Sequence, residues 1–273
     1  MAAVTALKGR ARRNTSTYSA TSGHLIAKIG FIAAIVIAWQ IAASAGTLGA
    51  VPTPVDVAQA LIGVFVDGSV WMPVAITLGA WAVSFILASM LGLVLGFPLG
   101  ASDLAYRMSV FLLDFCRTIP ALALIPLVVL MFGTGMESTV ILATFAAVWA
   151  VLLQVIYGVR DVDPVARDVF RSFRVRRSDV ILRLILPTAA PYIATGLRLA
   201  AAICLLLTLS VQIVIAAPGI GQQIVLAQLG GAIAKMYAYI VLSGVLGIAL
   251  NAIFVAIERA ALHWHPSFRG EVH

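Results

Sequence analysis

Apolar residues gather along this chain into long stretches divided by short polar segments. A helix needs about 20 predominantly apolar residues to cross the hydrocarbon layer of a bilayer. Six stretches meet that need: from about Leu25 to Ala45, Val74 to Leu99, Ser109 to Phe132, Ser138 to Gly158, Tyr192 to Ala216 and Tyr237 to Arg259. The pattern predicts an all-α integral membrane protein of about six transmembrane helices. A basic, Ser/Thr-rich segment with Lys8, Arg10, Arg12 and Arg13 precedes the first stretch. The run behind it is too long for a signal-peptide core and ends in no clear cleavage site, so it reads as an uncleaved span. The expected organisation is a cytoplasmic tail over residues 1–24, a membrane domain over 25–260 and a second cytoplasmic tail over 261–273.

The polar segments orient these spans. With an even number of spans both termini share one side. If that side is the cytoplasm, the N-terminal tail, Arg107, the loop from Val159 to Leu186, Arg259 and Arg269 all lie inside. The outer loops then carry Asp56, Asp67, Glu137 and a single cation, Lys235. This is the positive-inside arrangement, and five or seven spans would break it.

The spans are not uniformly apolar. Gly92, Gly96 and Gly100 put bare backbone on one helix face, where a neighbouring helix can approach closely. Pro120 and Pro126 bend or break the third span. Ala217-Pro218-Gly219-Ile220-Gly221 reads as a tight turn before a stretch that dips back into the membrane. Ionisable residues within spans are functional suspects, and Asp114, Arg117 and Arg198 approach that status. Asp114 and Arg117 are spaced to pair on one helix face, and Arg198 is placed to snorkel to the inner surface. Uncharged polar residues are the better candidates for lining a translocation path: Gln154, Thr208, Ser210, Gln212, Ser243 and Asn251. Helix-to-helix hydrogen bonding is the competing role for each. Gln212, in the outer half of the fifth span, is the foremost of them.

The longest inner loop, Val159 to Pro187, carries seven of the eighteen basic residues. Asp163-Pro164 is a helix start: Asp caps free N–H groups and Pro suits the first turn. Val165, Val169, Phe170 and Phe173 then form one apolar face. Arg167, Arg171 and Arg174 fall on another face and are most stable facing anions, either lipid head groups or an acidic partner. A second short helix is expected from Ser178, which can cap it, through Val180, Ile181, Leu184 and Ile185. Leu186-Pro187 should end it before the fifth span.

Composition narrows the chemistry. Hydrophobic residues make up 62% and charged residues 11%, against roughly 25% charged in a soluble domain, so the surface must face lipid. The net charge of +7 sits at membrane edges and implies no nucleic acid. Cys116 and Cys204 lie in apolar segments and offer no metal spacing. His24, His263, His265 and His273 lie near the termini, away from any intramembrane site. No phosphate-binding Gly-x-x-x-x-Gly-Lys-Ser/Thr loop, nucleophile elbow or His-Glu-x-x-His motif occurs. The chain therefore reads as no enzyme, with no cofactor or metal of its own. The absence of a carboxylate relay argues against an ion-coupled transporter.

Asp168-Val169-Phe170, Arg174 and Leu184-Ile185-Leu186-Pro187 resemble the coupling motif of binding-protein-dependent ABC importer permeases. That motif runs Glu-Ala-Ala, three residues, Gly, then about ten residues to Ile-x-Leu-Pro. Other segments are similar to the sulfonate, taurine and nitrate permeases of that family: Pro52 to Val57, Arg117 to Leu127 with Phe132 to Gly135, Gly158 to Pro164, and Pro191 to Ala200. The likeness covers about residues 50 to 260. It implies the type I, MetI-like permease fold in a bacterial inner (plasma) membrane. Its expected partners are a second permease subunit forming a homodimer, a cytoplasmic ABC ATPase dimer that binds ATP and Mg, an extracytoplasmic substrate-binding protein and membrane lipid. It also implies ATPase coupling through Asp163, Pro164, Arg167, Asp168, Val169, Phe170, Arg171, Phe173, Arg174, Leu186 and Pro187. Arg174 stands where the family has Gly. Because Arg enters positive φ less easily than Gly, the turn is expected to have another geometry, or the first helix to run longer. A stand-alone secondary transporter or channel, and a membrane scaffold, are the alternatives.

Overall fold

The computed structural model describes residues 17–47 and 49–262, and no strand occurs among them. The helices are α1 (Thr17–Ser44), α2 (Pro54–Val66), α3 (Trp71–Ala101), α4 (Asp103–Thr118), α5 (Ile125–Phe132), α6 (Met136–Arg160), α7 (Pro164–Ser172), α8 (Arg177–Val180), α9 (Leu186–Val214), α10 (Ile220–Leu229) and α11 (Ile233–Ala261). The basic residues Lys8 to Arg13, Arg269 and the three C-terminal histidines lie outside the described residues. Two compact units divide at Asp56 and Val57. The first contains α1, which starts eight residues before the expected span and whose apolar part runs Gly30–Ser44. It also contains the start of α2, where Thr53 and Asp56 cap reciprocally. Thr53 Oγ1 accepts from the Asp56 N–H at 3.2 Å, and Asp56 Oδ2 accepts from the Thr53 N–H at 3.1 Å. This is the capping-box logic of two free donors satisfied by each other's side chains.

In the second unit α6 is the central helix, flanked by α3 and α9. The buried face of α3 is Pro73, Thr77, Ala80, Ser84, Ala88, Gly92, Gly96 and Gly100. Their three- and four-residue spacing keeps them on one helix face, and apart from Pro73 all are small. A Cβ added at Gly92, Gly96 or Gly100 would lie 2.6, 2.8 or 2.8 Å from the Cβ of Val151, Val155 or Val159. The packing role expected of this glycine row is therefore what it performs, one turn of α3 against one turn of α6. Gly158 and Gly196 do the same between α6 and α9, against Ala189 and Gln154. Between apolar helices in lipid, such close van der Waals contact is the main attraction. Three longer bonds cross the same layers: Trp81 Nε1 donates to the Ala201 carbonyl at 2.9 Å, Ser84 Oγ to Val140 at 3.4 Å and Thr144 Oγ1 to Ser84 at 3.4 Å.

Among the described residues, four helices or helical runs are long and apolar enough to cross a membrane: Trp71–Ala101, Met136–Arg160, Arg177–Val214 and Ile233–Ala261. A bent pair makes a fifth candidate. The third apolar stretch, expected as one span from Ser109 to Phe132, is two segments, Asp103–Thr118 and Ala121–Phe132, inclined by 77°. Pro120 causes the break. It has no N–H to give the helix and it pushes the preceding residue into extended backbone. Ile119 accordingly has φ −68° and ψ 118°. Pro126 bends nothing, because it falls in the first turn of α5, where its missing donor would be unpaired in any case.

The expected stop at Leu186-Pro187 is also corrected. Helix continues from Arg177 to Val214, through a π-helical turn at Ile181–Ile185. The Leu186 N–H reaches back five residues to the Ile181 carbonyl. This wider turn accommodates the proline without ending the helix. Nor does Ser178 cap this run: Arg176 is the N-cap, with no side-chain cap bond.

Candidate coupling loop and membrane path

α7 begins as its sequence dictates. Asp163 Oδ1 accepts from the Val165 N–H at 2.8 Å, and Pro164 occupies the first turn. The apolar face is present but uncovered by this chain: Val165, Val169 and Phe173 are 69%, 46% and 79% exposed, and only Phe170 is half-buried. The base of the helix is fixed. Arg167 turns back to donate to the Val159 carbonyl at 3.3 Å, at the end of α6. It stays exposed on the face of α7 that it shares with Arg171, with its guanidinium turned toward α6. Beside it Arg160 pairs with Asp103 at 2.9 Å and lies 4.4 Å over the Tyr106 ring. Tyr192 of α9 donates to Asp161 at 3.0 Å. A cavity of about 200 Å³ among Gly100, Asp103, Arg160, Arg167 and Asp168 joins the starts of α4 and α7 to the ends of α3 and α6.

The end of α7 overturns the expectation for Arg174. Its φ is +50°, the left-handed conformation that Gly adopts freely. The Arg174 N–H donates to the Arg171 carbonyl at 3.0 Å, and the Val175 N–H to Phe170 at 3.1 Å. These bonds are the Schellman pattern, whose left-handed residue is usually glycine. The turn geometry is thus kept and the side chain is changed, at a conformational cost of roughly 1–2 kcal/mol. Arg171, Arg174, Arg176 and Arg177 are all exposed, and none makes an ion pair among the described residues, whereas Arg183 pairs with Asp179 at 3.5 Å. Leu186 and Pro187 lie apart from this turn, within the helical run that leads into the core.

The candidate path residues do not form one group. Gln212 is buried. Its Oε1 accepts from Thr77 Oγ1 at 3.0 Å and from the Gly221 N–H at 3.2 Å, while Thr77 Oγ1 accepts from the Ile220 N–H at 2.9 Å. A side chain at Gly219 or Gly221 would overlap Gln212. This node seats the Ala217-to-Gly221 turn, from which α10 packs back on α9 and α11. Thr208 is buried, Gln154 and Ser210 half-buried. Ser243 and Asn251 line a cavity of about 290 Å³ between α9 and α11, together with Arg198, Leu205 and Phe254. Arg198 pairs with buried Glu258 of α11, which lies outside that lining, at 3.0 Å and does not need to snorkel. Glu258 and Thr77 are the residues that sequence reasoning missed. A cation inside a span calls for a counter-charge, and that demand could have pointed to Glu258. Asp114 and Arg117 pair as expected, at 3.1 Å.

A long-helix bundle with one broken span, a glycine-packed centre and an amphipathic helix fixed only at its base defines a membrane transport subunit. The chain belongs to the family of binding-protein-dependent transport system inner membrane components, whose model matches residues 88–263. It is 29% identical over 243 residues to SsuC of Bacillus subtilis (strain 168), assigned to aliphatic sulfonates transport, with 87% of each chain covered. To the nitrate import permease NrtB of Leptolyngbya laminosa it is 27% identical over 260 residues, covering 89% of this chain and 92% of that one. Its fold is that of the type I importer permeases. A chain of the MetNI methionine ABC transporter in an inward-facing conformation superposes with a TM-score of 0.59 at 19% identity, over 68% of this chain and 92% of that one. The protein is thus a multi-pass inner-membrane permease of an ABC importer, which works with an ATPase and a substrate-binding protein. The stand-alone transporter and scaffold alternatives fall away.

Proposed function

We propose that this chain forms, with a second copy of itself, the path of an ATP-driven importer for a small anion. α7 and its turn dock on a cytoplasmic ABC ATPase dimer, which binds ATP and Mg and performs the hydrolysis, so the permease itself catalyses nothing. A binding protein delivers solute at the opposite face. The single observation behind this reading is the uncovered apolar face of α7, with Phe173 79% exposed at the tip of a helix whose base is hydrogen-bonded into the bundle. An amphipathic helix laid in an apolar groove is a common recognition mode. Both termini face the cytoplasm in this reading, which the distribution of arginines supports under the positive-inside rule. The solute class is supported by the relatives, one named for sulfonates and one for nitrate, both anions. Along the path, Ser243 and Asn251 face solute beside Arg198, Gln154 and Ser210 provide polar lining, and the buried Thr208 and Gln212 act within the bundle, Gln212 by holding the outer turn.

The test is purification of the chain from its own membranes with whatever it retains, followed by reconstitution in vesicles. An ATPase should co-purify, and labelled nitrate or an alkanesulfonate should accumulate only with ATP and the binding protein present. Uptake driven by an ion gradient without ATP would overturn the proposal.

A further inference from the structure

We infer that Arg174 is a partner-selecting residue, which presents its guanidinium to a carboxylate on the ATPase surface that receives α7. The inference rests on the coupling role proposed above and goes further in naming the chemistry of the partner surface. The position is one where glycine would be free of strain, since Arg174 has φ +50° and closes a Schellman turn. Backbone geometry therefore gives no reason for arginine. Nor do contacts within this chain, because Arg174 is exposed and makes no ion pair among the described residues. Its neighbours Arg171, Arg176 and Arg177 are also exposed and make no ion pair among those residues, so the turn gathers like charge that only an outside anion can relieve.

The surrounding pattern favours a protein over a lipid surface. Charge is uneven along the segment: Asp163 and Asp168 stand at the start and middle of α7 beside Arg167, which is tied back to Val159, whereas Arg171, Arg174, Arg176 and Arg177 follow with one carboxylate, Asp179, which pairs with Arg183. A plane of anionic head groups attracts every cation and repels every carboxylate near it. A groove can place its carboxylates opposite the tip alone. Phe173, next to Arg174 and 79% exposed, adds the apolar anchor that such a groove would enclose. The receiving surface is then an apolar floor with an acidic end wall.

The full complex with its co-purified ATPase is compared as wild type, Arg174→Gly, Arg174→Lys and Arg174→Glu. The glycine variant separates side chain from backbone, because it suits the turn better than arginine does. Retention of the ATPase should fall on the order of tenfold in Arg174→Gly, as for a lost charge-assisted hydrogen bond. It should recover largely in Arg174→Lys and fall further in Arg174→Glu. The salt dependence of retention should flatten in Arg174→Gly. Retention in Arg174→Gly equal to or above wild type would overturn the inference while leaving the coupling role intact. So would a defect that disappears in vesicles of zwitterionic lipid, since the anion would then be a head group. If the wild-type chain retains no ATPase at all, the coupling role itself fails and the inference with it.

Discussion

The two ends of α9 are built on opposite terms. At the end that leads to α10, polar groups close on one another within the chain: Thr77, Gln212 Oε1 and the Ile220 and Gly221 N–H groups form one node, in which Gln212 Nε2 is left without a partner, and Gly219 and Gly221 leave room for the glutamine alone. At the end that leads back to α7, Val165, Val169, Phe173 and four arginines face outward. The same hydrogen-bond pattern ends both flanking helices. After α10 it is closed by Gly231, with φ +70°, and after α7 by Arg174, with φ +50°. Positive φ without glycine is not confined to the open end, since Ala216, just past α9, has φ +51°. What sets Arg174 apart is an exposed charge that no ion pair among the described residues meets.

Three substitutions test that contrast. The largest effect is expected from Gly221→Leu. Its Cβ would lie 2.5 Å from Gln212 Cβ and 2.8 Å from the Leu209 carbonyl, rigid neighbours that cannot yield. Overpacking of this kind costs about 1–3 kcal/mol or more. The variant should be lost from membranes, which immunoblotting of membrane fractions against wild type would measure. Thr77→Val comes next. It removes the acceptor of the buried Ile220 N–H and the donor to Gln212, for about 1–3 kcal/mol. The protein should assemble with a lower unfolding temperature in detergent, and an unchanged temperature would mean that the node does not hold the turn. Phe173→Ala should have the smallest effect on stability, within about 0.5 kcal/mol, as for an exposed side chain. It should nevertheless abolish stimulation of ATP hydrolysis by the binding protein. Stability loss at the open end, or coupling loss without stability loss at the closed end, would erase the distinction.

The spans and the start of α7 were legible because each rests on local rules. A run of apolar residues, or Asp followed by Pro, has one physical meaning over a few residues. The glycine row was only partly legible. Three of its members stood out, while Thr77, Ala80, Ser84 and Ala88, which continue the same face, read as ordinary residues of an apolar helix. The prolines were the least legible. Pro120 breaks a helix, Pro126 starts one, and Pro98, Pro187 and Pro191 lie within helices. The chemistry of each ring is the same, and its consequence depends on whether neighbouring turns can widen or pack around it. Thr77 was hidden for another reason: its partner Gln212 is 135 residues away, and no local pattern pairs them. Arg174 showed the opposite error. Its preference was read correctly, yet the hydrogen bonds of the turn overrode it.

The π-helical turn at Ile181–Ile185 has a mechanical consequence. Because it keeps the helix unbroken past Pro187, the arginine-rich turn and the core are joined by one continuous rod from Arg177 to Val214. That rod bears on α6 most tightly where Gly158 meets Ala189 and where Gly196 meets Gln154. From Arg177 to Ala189 is about 18 Å of helix, and from Gly196 to Val214 about 27 Å. With both contacts between its ends, the rod gives the exposed turn and the node of Gln212 and Thr77 one unbroken helical connection through the centre of the bundle.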